Sequence, residues 1–367
     1  MELRDITCMD ELSELVYASS FDAFYQKIVE ENRKYDKEYY EAYKRLYLIP
    51  PKGQMRRMVF ENWTVFRGVI RVWHLARGIK HSKDFYRKGP YFLEYEKSKY
   101  QFIQDESSDT RPFFDVAKDI YDNIEQYKAL YELLEDEASK TVLMGVLVSR
   151  LTGDYSHLTD LASANPQYFD SDIIKAYSDE VVVDAGGYTG DTAEALLETA
   201  EAKGRIKRIY LYEPDRNNIE RAKKNLSGSE VEIIFRRAGI SDKRGSLFVT
   251  DSGSGSRIVA DEQGMDRVDV VALDEDIDER VTFIKMDIEG SEKAALQGFR
   301  KHILEDAPTL AICVYHKLND VWWVPRYVKS LRPEYKFYLR YYYQGRMGDT
   351  VVYCLPCREE TVDTEIH

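Results

Sequence analysis

The chain has 367 residues with 65 acidic and 52 basic side chains, which gives a formal net charge of −13. Hydrophobic residues make up 44% of the chain, which excludes a wholly disordered protein. The negative charge argues against a general nucleic-acid-binding protein, and no apolar run reaches the ~18 residues of a membrane-spanning helix. Four cysteines are too few for a disulfide framework, which is typical of proteins in the reducing cytoplasm. From the cysteines and the charge together, we expect a cytoplasmic protein without a nucleic-acid partner.

The first part of the chain, residues 1–165, has the apolar spacing of helices. Apolar residues recur at intervals of three and four over 10–48, 55–73 and 113–151, and prolines such as Pro50 separate these stretches. We therefore predict a mainly helical N-terminal domain. Its role in substrate binding, oligomerisation or surface association stays open, as does the formation of a homo-oligomer.

A basic segment lies within this half, between residues 52 and 88. It contains ten lysines and arginines but only two acidic residues, Glu61 and Asp84. The segment fits a helix with solvated charges, an interfacial helix on anionic lipid, or a patch that binds an anionic ligand. We keep peripheral membrane contact and anionic-ligand contact through 52–88 as alternatives to an ordinary helix.

Between residues 166 and 358, short apolar runs alternate with helical stretches. The predicted strands are Val181–Val183, Ile209–Tyr212, Val231–Phe235, Phe283–Met286 and Leu310–Tyr315, and the predicted helices are Thr192–Ala202, Asp215–Leu226, Ser291–Phe299 and Asp320–Leu331. This alternation predicts a parallel sheet that is covered by helices on both faces. The last two runs, 336–342 and 350–355, have no helix between them and predict an antiparallel hairpin at the sheet edge. Residues 359–367 are left as an acidic tail.

The first predicted strand runs into a glycine-rich turn. Asp184 ends the strand, and Gly186 and Gly190 follow before a helix begins. Glycines let a ligand approach the backbone closely, and the helix N-terminus presents unpaired N–H groups. The dinucleotide pattern GxGxxG fails here, because residues 188 and 191 are tyrosine and aspartate. Glu213 ends the next strand, where an acid can accept the hydroxyls of a ribose, although an isolated acid there is as often solvated or a helix cap.

These residues resemble the S-adenosylmethionine site of class I methyltransferases, and residues 169–356 resemble the FkbM family. The resemblance rests on 183–192, Tyr212-Glu213-Pro214, 238–242, Tyr315-His316, 338–340 and above all on 283–292, which reads FIKMDIEGSE. It implies a Rossmann-like class I methyltransferase sheet of seven strands with a C-terminal antiparallel hairpin, preceded by the mainly helical N-terminal domain. It also implies S-adenosylmethionine as the cofactor.

The resemblance further implies which residues hold that cofactor. Asp184, Gly186 and Gly190 would frame its methionine end, and Glu213 would hold the ribose. The full set of implied cofactor residues is Asp184, Gly186, Gly187, Tyr188, Thr189, Gly190, Asp191, Thr192, Glu213, Pro214, Arg237, Ala238 and Asp287.

The function expected from this resemblance is methylation of a sugar hydroxyl in a glycan, a nucleotide sugar or a natural product. N-methylation of an amino sugar or peptide, or a non-catalytic binding protein with a vestigial pocket, are the alternatives. His316 follows an apolar run at the ligand-binding edge of the sheet, and a histidine with a pKa near 6.5 suits a general base. Asp287 is the alternative base, and Glu289 is the third catalytic candidate.

Predicted contacts with the acceptor come from a Ser/Gly stretch, a strand end and the final hairpin. They are Ser256, Arg257, His316, Arg340 and Tyr342. Cys354 and Cys357 have CxxC spacing without a second pair, and the histidines are not clustered in the sequence. We therefore predict no metal site, while assistance by a divalent metal such as magnesium, held by two acids near the site, stays open.

Overall fold

The structure is a computed structural model, and it describes residues 2–32, 111–152, 156–175, 179–199, 204–249, 258–259, 266–342 and 349–357. The α-helices with assigned bounds are α1 (Met9–Tyr17), α2 (Arg111–Asp122), α3 (Ile124–Leu133), α4 (Glu137–Thr152), α5 (Ser156–Thr159), α6 (Asp191–Glu198), α7 (Arg216–Asn225), α8 (Leu273–Asp276), α9 (Glu292–Gln297), α10 (Arg300–Glu305) and α11 (Asp320–Leu331). The strands are β1 (Glu180–Ala185), β2 (Ile206–Tyr212), β3 (Glu232–Arg236), β4 (Gly239–Ile240), β5 (Gly245–Val249), β6 (Ile258–Val259), β7 (Asp266–Val271), β8 (Phe283–Met286), β9 (Thr309–Cys313), β10 (Lys336–Tyr341) and β11 (Thr350–Leu355). A short 3₁₀ helix spans Leu3–Asp5, and residues 21–32 are helical.

The chain forms two compact units, one of Met1–Arg4 with Ala18–Lys118 and the other of Asp5–Tyr17 with Asp119–His367. In the first unit, the ring of Phe114 lies edge-on to Phe21 and Tyr25, at centroid distances of 5.4 and 5.3 Å. The division does not coincide with the predicted boundary between 165 and 166, because residues 119–165 belong to the unit that contains the sheets. The basic segment 52–88 and the tail 359–367 lie outside the described residues.

A seven-stranded sheet dominates the second unit, with the strand order β10-β11-β9-β8-β1-β2-β3. The five strands from β9 to β3 run parallel, and β11 pairs antiparallel with both β9 and β10. Every residue of β1, β8 and β9 is buried, which is why these strands are nearly continuous apolar runs. The predicted sheet and its C-terminal hairpin are confirmed.

The helix bounds follow the local sequence. α11 has the predicted bounds, and α6 ends at Glu198, earlier than predicted. The predicted helix at 291–299 forms as α9, which ends before Gly298, and α10 begins at Arg300, beyond the predicted helix. A Cβ atom at Gly298 would lie 2.2 Å from the Ser241 carbonyl oxygen, so this close backbone contact requires glycine. No described helix has the length and apolar character to cross a membrane.

A second, four-stranded sheet with the order β4-β7-β5-β6 was not predicted. Two of its strands, β4 and β6, have only two residues each, so they leave almost no alternating pattern in the sequence. The sheet follows directly after β3, which lies at an edge of the main sheet.

Helices α3 and α4 and the residues after them lie along the outer edge of β10. The Glu135 and Ser163 N–H groups donate to the carbonyl oxygens of Phe337 and Tyr341, at 3.0 and 2.7 Å. Between them, the Leu339 N–H donates to the Ser139 hydroxyl at 2.9 Å. These contacts explain why residues 119–165 join the unit of the sheet.

Candidate functional site

A cleft opens at the carboxyl ends of the parallel strands β1, β2 and β8, where open α/β sheets bind their ligands. Its volume of about 330 Å³ is that of a small ligand pocket. It is lined by Gln167, Tyr168, Gly186, Tyr188, Asp191, Thr192, Tyr212, Glu213, Pro214, Asn218, Ala238, Gly239, Ile240, Lys285, Asp287, Ile288, Glu289, Tyr315 and Asp349. Five of these side chains are carboxylates and one is a lysine, so the cleft wall favours cationic ligands and hydrogen-bond donors.

The glycine turn after β1 is fixed by the two neighbouring strands. Gly186 has a φ of +82°, and a Cβ atom there would lie 1.8 Å from the Asp287 carbonyl oxygen. The Gly186 and Gly187 N–H groups donate to the Tyr212 carbonyl oxygen at 3.0 and 2.9 Å. Gly190, with a φ of +83°, caps the N-terminus of α6. The backbone of the turn therefore lies directly against the end of β2 and the residue that follows β8.

Glu213 lies at the end of β2, where its carboxylate is held by backbone donors. The Tyr188 N–H donates to Oε2 at 3.0 Å, and the Asp215 N–H donates to Oε1 at 2.8 Å. Only 6% of the residue is exposed, and this burial raises the pKa of Glu213 to about 7. A carboxylate oriented in this way can accept hydrogen bonds from the two hydroxyls of a ribose.

Lys285 and Asp184 form a buried ion pair beneath the glycine turn. Lys285 Nζ lies 3.1 Å from Asp184 Oδ1, and it also donates to the Gly186 carbonyl oxygen at 2.7 Å. Although burial opposes the charged ammonium, the carboxylates of Asp184 and Asp287 raise the pKa of Lys285. The pair supports the turn, and Lys285 also forms part of the cleft wall.

Asp287 lies at the cleft wall, just after β8, and two tyrosines bind its carboxylate. The Tyr168 hydroxyl donates to Oδ2 at 2.9 Å, and the Tyr315 hydroxyl donates to Oδ1 at 3.3 Å. The side chain of Asp287 is 25% exposed, so it remains accessible from the cleft. A carboxylate that is oriented and accessible in this way can accept a proton from a bound ligand.

His316 lies behind the cleft wall. Its Nδ1 is 2.8 Å from Glu292 Oε1, and its Nε2 is 3.4 Å from Asp287 Oδ1 and 3.6 Å from Glu289 Oε2. Burial of the ring opposes the charged form, but the contact with Glu292 and the nearby carboxylates raise the pKa of His316. His316 is not among the residues that line the cleft, whereas Asp287 is, so the geometry favours Asp287 as the base.

Backbone conformations that non-glycine residues rarely adopt are concentrated at the cleft. Six described non-glycine residues have a φ between 43° and 71°, and four of them line the cleft. These four are Tyr168, Tyr188, Glu289 and Asp349. Each such conformation costs about 1–3 kcal/mol and persists only where the surrounding structure fixes it, as at binding sites.

The structure brings most of the predicted cofactor residues to the cleft. Gly186, Tyr188, Asp191, Thr192, Glu213, Pro214, Ala238 and Asp287 line it, together with the catalytic candidate Glu289. Asp184, Gly187, Thr189, Gly190, Arg237 and His316 are not among the lining residues. Ser256 and Arg257 lie outside the described residues.

Arg340 and Tyr342, which the sequence assigned to the acceptor, are not among the residues that line the cleft, and both bind protein side chains. The Arg340 guanidinium contacts the Asp136 carboxylate at 2.6 Å and donates to the Ser139 hydroxyl at 2.8 Å. The Tyr342 hydroxyl bonds to Asp170 at 2.9 Å and to the Tyr353 hydroxyl at 2.5 Å. This geometry does not support direct contact of either residue with an acceptor.

Sequence reasoning missed four residues of the site: Tyr168, Lys285, Tyr315 and Glu292. A lysine inside an otherwise apolar strand was the available signal for Lys285, because buried lysines are rare without a partner. Glu292 stands in the run 283–292 without an assigned role, although it contacts His316. Tyr168 precedes β1 in a segment without a motif, and nothing in the sequence indicates that it reaches Asp287.

Residues 184–341 match the family model described as the methyltransferase FkbM domain. The crystal structure of methyltransferase FkbM from Methylobacillus flagellatus KT has a TM-score of 0.59 and 27% identity, over 74% of this chain and 70% of that chain. None of the curated protein sequences matches this chain with significant similarity.

Two further solved structures are less similar to this chain. An rRNA methylase from Streptococcus thermophilus has a TM-score of 0.32 and 17% identity, over 50% of this chain and 92% of that chain. Fibrillarin from Aeropyrum pernix, in complex with natively bound S-adenosyl-L-methionine, has a TM-score of 0.31 and 12% identity, over 49% of this chain and 67% of that chain. The family match and the M. flagellatus structure agree with the geometry of the sheet and turn: residues 184–341 of this chain form a methyltransferase domain of the FkbM family.

Proposed function

We propose that this protein transfers the methyl group of S-adenosylmethionine to a hydroxyl group of a sugar. The observation that carries the proposal is the Asp287 carboxylate, which faces the cleft beside the glycine turn and is held by two tyrosine hydroxyls. Its position at the end of β8 supports a role as proton acceptor, because a molecule that enters the cleft can reach the carboxylate.

The donor set of the cleft fits S-adenosylmethionine. Glu213 offers a carboxylate to the ribose hydroxyls, and the carboxylates of Asp191 and Asp287 match the positive charges of the sulfonium and amino groups. α6 begins beside the cleft at Asp191 and Thr192, and the first N–H groups of a helix have no partner within the helix. A cationic cofactor therefore suits this mainly acidic lining better than a dinucleotide with two phosphates does.

The proposed chemistry needs one proton acceptor and accurate positioning. When bound, S-adenosylmethionine supplies a methyl group on a positively charged sulfur; the acceptor oxygen bonds to that carbon as the carbon–sulfur bond breaks and its electron pair stays on sulfur. Asp287 accepts the hydrogen bond of the acceptor hydroxyl and then its proton. Tyr168 and Tyr315 hold the carboxylate in one orientation while this happens.

The cleft lining also supports the sugar class of acceptor. Tyr168, Tyr188, Tyr212 and Tyr315 line the cleft, and aromatic rings offer apolar faces on which sugar rings pack. Glu289 and Asp349 add carboxylates that accept hydrogen bonds from the hydroxyls of a polyol.

Calorimetric titration of the full chain with S-adenosylhomocysteine tests the cofactor, with NAD as the control ligand. We expect binding of S-adenosylhomocysteine that Glu213→Ala weakens, and no binding of NAD. Binding of NAD alone would contradict the proposal.

The acceptor is then tested with matched hydroxyl and amino sugars, free and nucleotide-linked, by measuring S-adenosylhomocysteine release. Asp287→Asn is expected to lower turnover by about 10²–10⁴-fold while cofactor binding persists. Turnover with amino sugars alone would show N-methylation instead.

A further inference from the structure

The imidazole of His316 has a fixed orientation. Its side chain is only 7% exposed, and Nδ1 lies 2.8 Å from Oε1 of the fully buried Glu292. The same Oε1 accepts the N–H groups of Ile288 and Gly290, at 3.2 and 3.3 Å, so the carboxylate itself cannot turn freely. Because an ionised carboxylate only accepts hydrogen bonds, Nδ1 carries a hydrogen and Nε2 is the ring atom that points elsewhere.

That second nitrogen points at two carboxylates. Nε2 makes no hydrogen bond within the described part of the chain, and it lies 3.4 Å from Asp287 Oδ1 and 3.6 Å from Glu289 Oε2. When Nε2 carries no proton, its lone pair faces two anionic oxygens, and a cation beside these atoms removes the repulsion. The arrangement therefore suits a cation that takes the place of the Nε2 proton.

The two distances from His316 Nε2 are close to the separation of neighbouring ligands on one metal ion. Two ligands about 2.1 Å from a tetrahedrally coordinated metal lie about 3.4 Å apart. Ligand atoms of Asp287, Glu292 and His316 all lie within 4.8 Å of one another. Metal-binding histidines commonly donate their other ring N–H to a carboxylate, which is the relation between His316 and Glu292.

We propose that His316 Nε2, Asp287 Oδ1 and Glu289 Oε2 bind a divalent transition metal ion, with Glu292 as the positioning residue of the imidazole. One nitrogen and two oxygen ligands favour Mn²⁺ or Zn²⁺ over Mg²⁺, because Mg²⁺ prefers oxygen ligands alone. The expectation of no metal site arose because the histidines are not clustered in the sequence, and here carboxylates supply the other ligands.

The metal would face the acceptor. Asp287 and Glu289 line the cleft, so an open coordination position between them is accessible to a ligand that enters it. This role rests on the proposed function: a hydroxyl bound at that position would have a lowered pKa and would pass its proton more readily to Asp287.

The test is calorimetric titration of the chelator-treated full chain with MnCl₂, ZnCl₂ and MgCl₂ separately, alongside S-adenosylhomocysteine on the same preparation. We expect Mn²⁺ or Zn²⁺ to bind at a single site, more tightly than Mg²⁺. Glu289→Gln, at the accessible cleft wall, and His316→Ala are each expected to weaken metal binding by about tenfold or more.

His302→Ala is the matched control. His302 is also buried and also contacts a carboxylate, with Nδ1 2.5 Å from Asp306, but its Nε2 lies 3.2 Å from the Ile277 carbonyl oxygen and is thereby occupied. Metal binding by this variant is expected to match that of the wild type. Retained binding of S-adenosylhomocysteine shows in each case that the domain is folded.

Wild-type protein that binds S-adenosylhomocysteine but none of the three metals would overturn the metal site and leave the proposed function standing. Equal metal affinity in the wild type, Glu289→Gln and His316→Ala would also overturn it, because the metal would then bind elsewhere. Failure of S-adenosylhomocysteine to bind, with metal binding intact, would instead count against the proposed function.

Discussion

Lys285 and Asp184 lie 3.1 Å apart beneath the glycine turn, and each side chain is only 3% exposed. Removal of one partner from such a pair leaves a buried charge without compensation. Lys285→Met is therefore expected to lower the free energy of unfolding by about 3–5 kcal/mol, measured by urea denaturation.

The surface pair of Lys207 and Glu279 provides the control for this change, because the Lys207 side chain is 57% exposed. Lys207→Met should cost at most about 1 kcal/mol. Equal losses for the two variants would contradict the role assigned to Lys285. The double variant Asp184→Asn with Lys285→Met should recover part of the loss, because no charge then remains buried.

Gly186 is expected to tolerate no side chain. A Cβ atom there would lie 1.8 Å from the Asp287 carbonyl oxygen, and the φ of +82° adds the cost of the left-handed region. Gly204 has a φ of +72° but no atom within 4 Å of the same Cβ position. Gly204→Ala should thus cost about 1–2 kcal/mol, and Gly186→Ala clearly more. Thermal denaturation compares the two, and equal losses would show that the turn can move away from β8.

Cofactor affinity should depend on pH through Glu213. Burial raises its pKa to about 7 from the ordinary 4.5, so the free protein holds this carboxyl group largely protonated at pH 6. Ribose hydroxyls donate better to the charged form, so S-adenosylhomocysteine should bind about tenfold more tightly at pH 8 than at pH 6. Glu213→Gln should remove most of this dependence, and an unchanged pH profile in the variant would assign it to another group.

The raised pKa of Glu213 also makes the stability of the free protein depend on pH. A higher pH strengthens cofactor binding but lowers the free energy of unfolding. Because the folded state disfavours the ionised form of Glu213, the free protein loses stability from this group as the pH rises from about 4.5 to about 7. A comparison of the wild type with Glu213→Gln across that interval measures the effect.

Arg340 is expected to act in stability and not in acceptor binding. Its guanidinium contacts Asp136, and the bonds from Arg340 and Ser139 outweigh burial and lower the pKa of Asp136 to about 2. Arg340→Met should cost about 1–3 kcal/mol while the affinity for S-adenosylhomocysteine stays unchanged. A raised acceptor KM with unchanged stability would restore the predicted contact with the acceptor.

The main sheet could be predicted because burial on both faces makes its strands distinctive. Val181–Val183 and Phe283–Met286 are apolar runs that end in acids, and the order of runs and helical stretches specified the parallel sheet. β4 and β6 could not be found in this way, since a strand of two residues carries no periodicity.

The site residues that stand at the ends of strands could be predicted from the sequence. Glu213 and Asp287 follow apolar runs, and both line the cleft. The sequence could not indicate that Arg340 pairs with Asp136, because 204 residues separate them along the chain. It also could not place Tyr168 against Asp287, since that contact depends on how the segment before β1 packs over the sheet.

The contacts along β10 have a consequence for assembly. An edge strand with free N–H and C=O groups is a template on which a strand of another molecule can pair. Here the C=O groups of Phe337 and Tyr341 are already bonded to Glu135 and Ser163 of the same chain, and the N–H group of Leu339 is bonded to Ser139. These contacts make β10 a poorer template for a strand of a second copy of this protein than an edge strand whose groups are all open.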